Sequence, residues 1–232
     1  LFPYTTLFRS GIDSNKDQTY FLSQVTKEQF KDIIFPIGKY TKEEVRKIAK
    51  EANLPVSDKK DSTGICFIGE RNYQKFISNY LKGKEGDIKD IDTLEVIGKH
   101  SGLMNYTIGQ RRNVGLSGDE KRHYVCGKDV KNNILYVAFG DDNKYLMSNE
   151  AVIENLNFIS DMKPEEATCK FRYRSKDVNI KIEYKKDELI VKYSNEKAVT
   201  PGQACVIYYN NEMIIGGIIK EVRNNGKKLW YL

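Results

Sequence analysis

The chain has 232 residues, of which 40% are hydrophobic and 30% charged, so the sequence predicts packed domains and excludes wholesale disorder. Its formal net charge of +6 is spread along the chain. That excess permits a polyanionic partner but lacks the dense basic patch of many nucleic-acid binders. No apolar run is long enough to predict a membrane span. Four widely spaced cysteines fit neither a disulfide scaffold nor a metal site, so we expect a reducing cytoplasm.

The first ten residues, LFPYTTLFRS, contain no initiator Met and none of the regions of a signal peptide. They resemble the translation of a common sequencing adapter, so we interpret residues 1–10 as an artefact rather than a frayed terminus. The segment that follows, SGIDS (10–14), is one glycine short of a pyrophosphate-binding loop. Such loops need successive small residues so that backbone N–H groups reach phosphate, and we therefore reject it as a nucleotide site.

The next part of the chain has the pattern of an α/β segment. We expect a helix over residues 17–25 with Asp17 as N-cap, and a short buried strand over 33–35. Thr41-Lys42-Glu43-Glu44 has the spacing of a capping box, so a helix is predicted to start there and to end before Pro55. A second amphipathic helix is predicted over residues 72–82.

After Gly86 the sequence pattern changes to short runs of β-type residues in which apolar and polar side chains alternate. These runs predict strands at 95–98, 123–127 and 135–138. From residue 151 onward nearly everything reads as strand. Six or seven strands at this spacing favour a small antiparallel barrel or sandwich. The predicted strands of this last region are 151–159, 167–174, 178–184, 188–193, 204–209, 213–222 and 228–232.

Cys66 lies in a glycine-flanked loop within residues 61–71. The basic neighbours Lys59, Lys60 and Arg71 favour a thiolate, which suits a nucleophile or a sulfur carrier. The alternative is a small buried hydrophobe, because free cysteines are among the most buried residues. The remaining cysteines lie in strand-like runs, and burial is the stronger expectation for them: Cys126, Cys169 and Cys205.

Five ordered segments carry a family resemblance: NKDQTYFL (15–22), KDSTGICFIGER (60–71), GLMNYTIGQR (102–111), FRYR (171–174) and PGQA (201–204). They resemble motifs of the tRNA-specific 2-thiouridylases, also called tRNA-uridine 2-sulfurtransferases. The resemblance is collinear and extends over residues 11–232. Any one of these motifs alone would be only suggestive, whereas five in order are specific.

The resemblance implies an α+β multidomain protein. Residues 11–71 would be the C-terminal remnant of an α/β ATP-pyrophosphatase (PP-loop) catalytic domain. Residues 72–145 would form a small β-rich central domain, and residues 146–232 a C-terminal antiparallel β-barrel.

The resemblance also implies an activity. Members of this family use ATP and Mg²⁺ to adenylate O2 of the wobble uridine of certain tRNAs, and persulfide sulfur then replaces that oxygen to give 2-thiouridine. A sulfur-relay protein delivers the sulfur to the cysteine that corresponds to Cys66. The implied partners are tRNA and this sulfur donor, with neither a membrane nor DNA involved, and the implied location is cytoplasmic.

The resemblance assigns tRNA contacts to six residues: Lys16, Asp17, Gln18, Arg172, Tyr173 and Gln203. Their chemistry fits RNA, since Arg pairs with phosphate, Tyr stacks on bases and Gln reads a base edge or sugar hydroxyl. Four of the six also have an ordinary alternative. Asp17 would cap a helix, Arg172 and Tyr173 would alternate on a strand, and Gln203 would complete a turn. Another polar cluster, Gln110-Arg111-Arg112, receives no role from the resemblance and is expected to be structural.

Two features of the family have no counterpart in this sequence. One is the SGGxDS loop. The other is the second catalytic cysteine, which in the family forms a disulfide with the cysteine that corresponds to Cys66. We therefore expect the chain as written neither to adenylate nor to thiolate tRNA, and residues 11–71 to expose apolar surface with low hydrogen-exchange protection. An alternative remains open: a stand-alone RNA-binding module in which Cys66 is incidental.

Overall fold

The computed structural model describes residues 8–61, 73–116 and 122–232. Within them the chain divides into two compact units. The first takes the described parts of Leu1–Lys60, Asn149–Ser194 and Pro201–Val222. The second takes those of Asp61–Ser148, Asn195–Thr200 and Arg223–Leu232.

The described residues contain three short α-helices and eleven strands. The helices are α1 (Lys27–Phe30), α2 (Lys42–Glu51) and α3 (Tyr73–Ser78). The strands are β1 (Gly86–Asp90), β2 (Val96–His100), β3 (His123–Asp129), β4 (Ile134–Phe139), β5 (Met147–Phe158), β6 (Glu166–Lys170), β7 (Val178–Tyr184), β8 (Leu189–Lys197), β9 (Ala204–Tyr209), β10 (Glu212–Asn224) and β11 (Lys227–Lys228). None of these helices has the length and apolar character needed to cross a bilayer.

A closed barrel of six strands forms the body of the first unit. Its strands follow the order β10-β5-β8-β7-β6-β9, and pairing of β9 with β10 closes the ring. The ladders β6–β7, β7–β8, β6–β9 and β9–β10 are antiparallel. Closure leaves no free edge among these six strands.

Alternation of apolar and polar residues explains why these segments form strands around one core. Along β7, Val178, Ile180 and Ile182 are buried while the residues between them are exposed. The register pairs Ile180 with Tyr193 and Ile182 with Val191 on β8, so the apolar sets of both strands face the same side.

Residues 8–61 lie partly on the barrel and partly in solvent. The Asn157 side-chain amide donates to the carbonyls of Ser23 and Val25 at 2.9 and 2.8 Å. The ring of Phe8 stacks on Phe30, and its carbonyl accepts from the amide of Met213 on β10 at 2.8 Å. Apolar side chains of residues 33–37 are exposed, as expected for this segment, with Ile34 at 84%.

Two predictions for this segment are wrong. Residues 17–25 form only a 3₁₀ turn, Thr19–Leu22, because the carbonyls of Ser23 and Val25 accept from Asn157 instead of from a continuing helix. Residues 33–35 form coil and not a strand, since none of the described strands pairs with them. An apolar run alone did not distinguish an exposed connection from a buried strand.

The capping box of α2 is confirmed. The Thr41 hydroxyl accepts from the amide of Glu44 at 3.3 Å, and the Glu44 carboxylate accepts from the amide of Thr41 at 2.7 Å. Asp13 adds a third bond by accepting from the amide of Lys42 at 2.9 Å. Together these bonds satisfy the amides of Thr41, Lys42 and Glu44 at the start of the helix, which ends at Glu51 before Pro55 as predicted.

A four-stranded sheet in the order β2-β1-β4-β3 is the core of the second unit. The central pair β1–β4 is parallel and the two outer pairs are antiparallel. The apolar side chains Ile88, Val125, Leu135 and Val137 are fully buried in it. This β-rich arrangement agrees with the predicted central region.

Several element ends differ from the prediction. Helix α3 stops at Ser78, so Tyr80 and Leu81 are exposed rather than part of a buried face. Strand β6 stops at Lys170, four residues short of the predicted end, because residues 171–174 bend away. At the C-terminus only Lys227–Lys228 is strand, and the carbonyl of Tyr231 accepts instead from the amide of Lys128 at 2.8 Å.

Candidate nucleic-acid interface

The turn that follows Gln18 lies against one end of the barrel, and Tyr20 makes the contact. Its hydroxyl donates to the carbonyl of Ala204 at 3.0 Å and lies 3.4 Å from the carbonyl of Phe171. These carbonyls belong to the neighbours of Gln203 and Arg172. One phenol therefore holds together three segments that are distant in sequence. Burial raises the pKa of Tyr20 to about 12, which keeps the hydroxyl a neutral donor.

Asp17 shapes the turn. Its carboxylate accepts from the amide of Thr19 at 3.1 Å and from the Thr19 hydroxyl at 2.9 Å. The Thr19 hydroxyl also lies 3.0 Å from the Tyr208 hydroxyl on β9. Lys16 and Gln18, on either side, are exposed. Asp17 thus folds the turn through its bonds to Thr19, but it does not cap a helix as expected, because the N-cap of the 3₁₀ turn is Gln18. The turn presents Lys16 and Gln18 to solvent.

Arg172 and Tyr173 do not alternate on a strand, contrary to the ordinary expectation for them. They lie in the bend after β6, where the carbonyl of Arg172 accepts from the amide and the hydroxyl of Ser175 at 3.1 and 2.8 Å. Both side chains are half-buried. Burial lowers the pKa of the Arg172 guanidinium from its ordinary value. A partly desolvated guanidinium is held ready for an anion, because less of its hydration must be removed on binding.

Tyr173 belongs to a small aromatic group on this end of the barrel. Its ring centroid lies 4.4 Å from that of Phe21 and 6.3 Å from that of Tyr20, and the Arg174 guanidinium lies 5.3 Å from its centroid. Phe21 is 61% exposed. An exposed aromatic face beside a guanidinium is a platform on which an unpaired base can stack.

Gln203 immediately precedes β9, after a turn in which Gly202 adopts φ +83°. Its backbone carbonyl accepts from the amide of Ile219 at 2.8 Å, so the residue is fixed in the barrel wall. Its side-chain oxygen Oε1 is buried and has no hydrogen-bond partner among the described residues. A buried acceptor without a partner costs free energy, which a donor from a bound molecule would recover.

Cationic side chains surround this group, although not without acids. Lys16 and Arg174 are exposed, and Lys170 lies 5.6 Å from the ring centroid of Tyr208 and 3.7 Å from the Asp177 carboxylate. The surface formed by the turn 16–21, the bend 171–176 and Gln203 thus combines cations, stacking rings and an unpaired amide oxygen. We call it the turn–bend surface.

All six residues assigned by resemblance to tRNA contact lie in the first unit. The contacts of Tyr20 link the three segments that contain them. The residues that sequence reasoning missed are Tyr20, Phe21 and Arg174. The first two lie within the NKDQTYFL segment and the third within FRYR. The family resemblance therefore included these residues but assigned no role to them.

Cys66 lies outside the described residues. The other cysteines, Cys126, Cys169 and Cys205, are buried and unoxidised, as expected. Burial raises the pKa of Cys126, which keeps it an inert thiol. His100 is structural, since its Nε2 lies 3.0 Å from the carbonyl of Asn133 and its Nδ1 accepts from the amide of Gly102. In the described parts of the chain, no three His, Cys, Asp or Glu residues are grouped so as to hold a metal ion.

Three family models match successive parts of the chain. Residues 4–70 match a tRNA methyl transferase HUP domain, and residues 74–139 match a tRNA methyl transferase PRC-barrel domain. Residues 148–219 match an aminomethyltransferase β-barrel domain. The α/β, β-rich and barrel regions inferred from the sequence appear here in the same order.

Curated relatives align along nearly the whole chain. A protein of Mycoplasmopsis synoviae (strain 53) named tRNA-specific 2-thiouridylase MnmA is 47% identical over 229 residues, which cover 97% of this chain and 61% of the relative. The proteins of the same name from Geobacillus thermodenitrificans (strain NG80-2) and Bacillus subtilis (strain 168) are 48% and 47% identical, each covering 96% of this chain. The chain spans 61% of the length of each of these relatives. It belongs to the tRNA-specific 2-thiouridylase family.

Proposed function

We propose that this chain forms the tRNA-gripping part of an enzyme that converts a tRNA uridine to 2-thiouridine. The observation that carries the proposal is the convergence of the segments 16–21, 171–174 and Gln203 at the hydroxyl of Tyr20. The domain models refer to methyl transfer in their names, whereas the full-length relatives are named for thiolation. We follow the relatives, because their similarity extends continuously along almost the whole chain.

Each part of the turn–bend surface has a distinct task in this proposal. Arg172 and Lys16 contact backbone phosphates, which position the RNA. Phe21 and Tyr173 stack on bases of the single-stranded anticodon loop, where unpaired bases are accessible. The Gln203 side chain accepts a hydrogen bond from a base edge or a 2′-hydroxyl, which adds discrimination between RNA and DNA.

The whole protein, in the same proposal, uses ATP and Mg²⁺ to activate the uridine. The described residues do not fit either group. No metal-holding cluster occurs among them, and the SGIDS segment is occupied by internal bonds. The Asp13 carboxylate accepts from the amides of Asn15 and Lys42 at 3.0 and 2.9 Å, and the amide of Gly11 donates to Asp17 at 3.4 Å. We therefore assign no step of nucleotide chemistry to these residues.

Cys66 is the residue we propose to hold the persulfide sulfur, which it would receive from a sulfur-relay protein in the cytoplasm. Loading the chain with inorganic polysulfide and mapping the added sulfur by mass spectrometry tests this assignment. Sulfur on Cys66, with none on Cys126, Cys169 or Cys205, is the expected result. The three buried thiols are internal controls, and an unmodified Cys66 would favour an RNA-binding module without a catalytic role.

Binding of an unmodified anticodon stem-loop RNA tests the gripping role. Arg172→Ala should weaken binding by about ten- to a hundredfold, because a hydrogen bond to a charged group contributes on the order of 1.5 to 3 kcal/mol. Lys186→Ala is the matched control, since Lys186 is an exposed cation in the turn between β7 and β8. Equal losses in both variants would reduce the effect to net charge and contradict a specific site.

A further inference from the structure

A surface cavity of about 510 Å³ lies in the second unit, separate in sequence from the turn–bend surface. Polar and basic side chains from two segments line it. Arg111, Asn113 and Gly115 come from the loop after the GLMNYTIGQ segment, and Arg122 and His123 come from the start of β3.

Hydrogen bonds of Gln110 fix the first part of the loop that lines the cavity, residues 107–112. The side chain of Gln110 accepts from the amide of Thr107 at 3.0 Å and donates to the carbonyl of Arg112 at 2.9 Å. Its backbone carbonyl accepts from the amide of Val125 on β3 at 2.9 Å. Gly115 adopts φ +87°, a conformation that favours glycine. Gln110 is therefore structural, as expected, but its role is to present the residues on either side of it.

The described lining of the cavity is basic, polar or apolar. Two arginines line it, and none of its described lining residues is acidic. The Nδ1 atom of His123 is buried and has no hydrogen-bond partner among the described residues. Two guanidinium groups suit an oxyanion with several oxygens, because each supplies donors in a fixed geometry. The His123 Nδ1 atom adds a donor in the tautomer that carries its proton there.

We propose that this cavity is an oxyanion site that holds a backbone phosphate of the RNA. The proposal rests on the proposed function, which supplies an RNA, and it adds a second point of contact in a different unit of the chain. A free phosphate ion offers the same chemistry, so the experiment has to distinguish a phosphodiester from the free ion.

Equilibrium binding of unmodified tRNA at several salt concentrations is the test. It uses the 232-residue chain and its variants Arg111→Ala, Arg122→Ala and Arg112→Ala. Arg112 is the matched control, because it carries the same charge at the adjacent position without lining the cavity. The first two variants should each weaken binding about tenfold, and the slope of log affinity against log salt should become shallower by about one. The control should keep the affinity and slope of the unmodified chain.

Three results would overturn the inference. The first is an equal loss in the control variant, which would show a general charge effect. The second is unchanged tRNA affinity in the Arg111 and Arg122 variants while Arg172→Ala still weakens binding, which would leave the proposed function intact. The third is a shift of the His123 resonances on titration with inorganic phosphate but no effect of the variants on tRNA, which would make the site one for the free ion. Failure of the unmodified chain to bind tRNA would instead contradict the proposed function itself.

Discussion

Replacement of Gly216 by alanine should detach the 3₁₀ turn from the barrel. A Cβ atom at this position of β10 would lie 2.0 Å from the carbonyl oxygen of Ser23 and 2.7 Å from its carbonyl carbon. To regain van der Waals contact the Ser23 backbone must retreat by roughly 1 Å or more. That movement breaks the bond from Asn157 to the Ser23 carbonyl and displaces the neighbouring Val25 carbonyl, which Asn157 also binds.

The cost follows from these contacts. Overpacking a well-packed position costs about 1 to 3 kcal/mol, and each lost hydrogen bond about 1 kcal/mol. We expect Gly216→Ala to lower the free energy of unfolding by about 2 to 4 kcal/mol, measured by urea denaturation with far-UV circular dichroism. Its tRNA affinity should fall as well, because Lys16 and Gln18 move with the turn.

Gly38→Ala is the control for this substitution. A Cβ atom there would meet nothing nearer than the carbonyl oxygen of Phe35 at 3.4 Å, an ordinary contact. It should leave stability and tRNA affinity close to those of the unmodified chain. Unchanged stability and affinity in Gly216→Ala would refute the docking of the turn on the barrel.

Three further outcomes are expected. Tyr208→Phe removes the hydroxyl 3.0 Å from the Thr19 hydroxyl and should lower Tm by a few degrees in a thermal melt, the equivalent of about 1 kcal/mol. Hydrogen bonds, chiefly from the amide of Lys42, lower the pKa of Asp13. The stabilisation that the Asp13 carboxylate gives to α2 is therefore fully present above the ordinary carboxyl pKa and is lost as pH falls through the lowered pKa of Asp13. The helical circular dichroism signal should decline in acid, and the decline should be smaller in the Asp13→Asn variant. In hydrogen exchange, amides 31–39 should exchange much faster than that of Thr19, which is buried, and uniform protection of both would contradict the fold of this segment.

The barrel was accessible from sequence because its signal is local. Strands β7 and β9 run over Val178–Tyr184 and Ala204–Tyr209, the bounds that alternation and flanking turns predict. Residues 33–35 are also a short apolar run, but in the structure they form exposed coil and not a strand. Burial of a short apolar run depends on a neighbouring strand, and the run itself carries no information about that partner.

The candidate site was only half accessible. The resemblance identified Arg172, Tyr173 and Gln203 as candidate contact residues. It did not predict that Tyr20 connects the segments that contain them. The Tyr20 hydroxyl meets backbone carbonyls 151 and 184 residues away in sequence. No local pattern encodes a partner at that distance, so the role of Tyr20 emerges only from the fold. The bend at Arg172 was missed for a related reason, since β propensity predicted a strand that the tertiary structure ends at Lys170.

The central claim is that the turn and the bend form one RNA-binding surface, and ultraviolet crosslinking of unmodified tRNA to the chain tests it most directly. Crosslinks form where bases stack on aromatic side chains, so mass spectrometry should find them on Phe21 and Tyr173, whose ring centroids lie 4.4 Å apart. Crosslinks on both residues, lost together in Arg172→Ala, are the predicted result. Crosslinks confined to other parts of the chain would contradict the account.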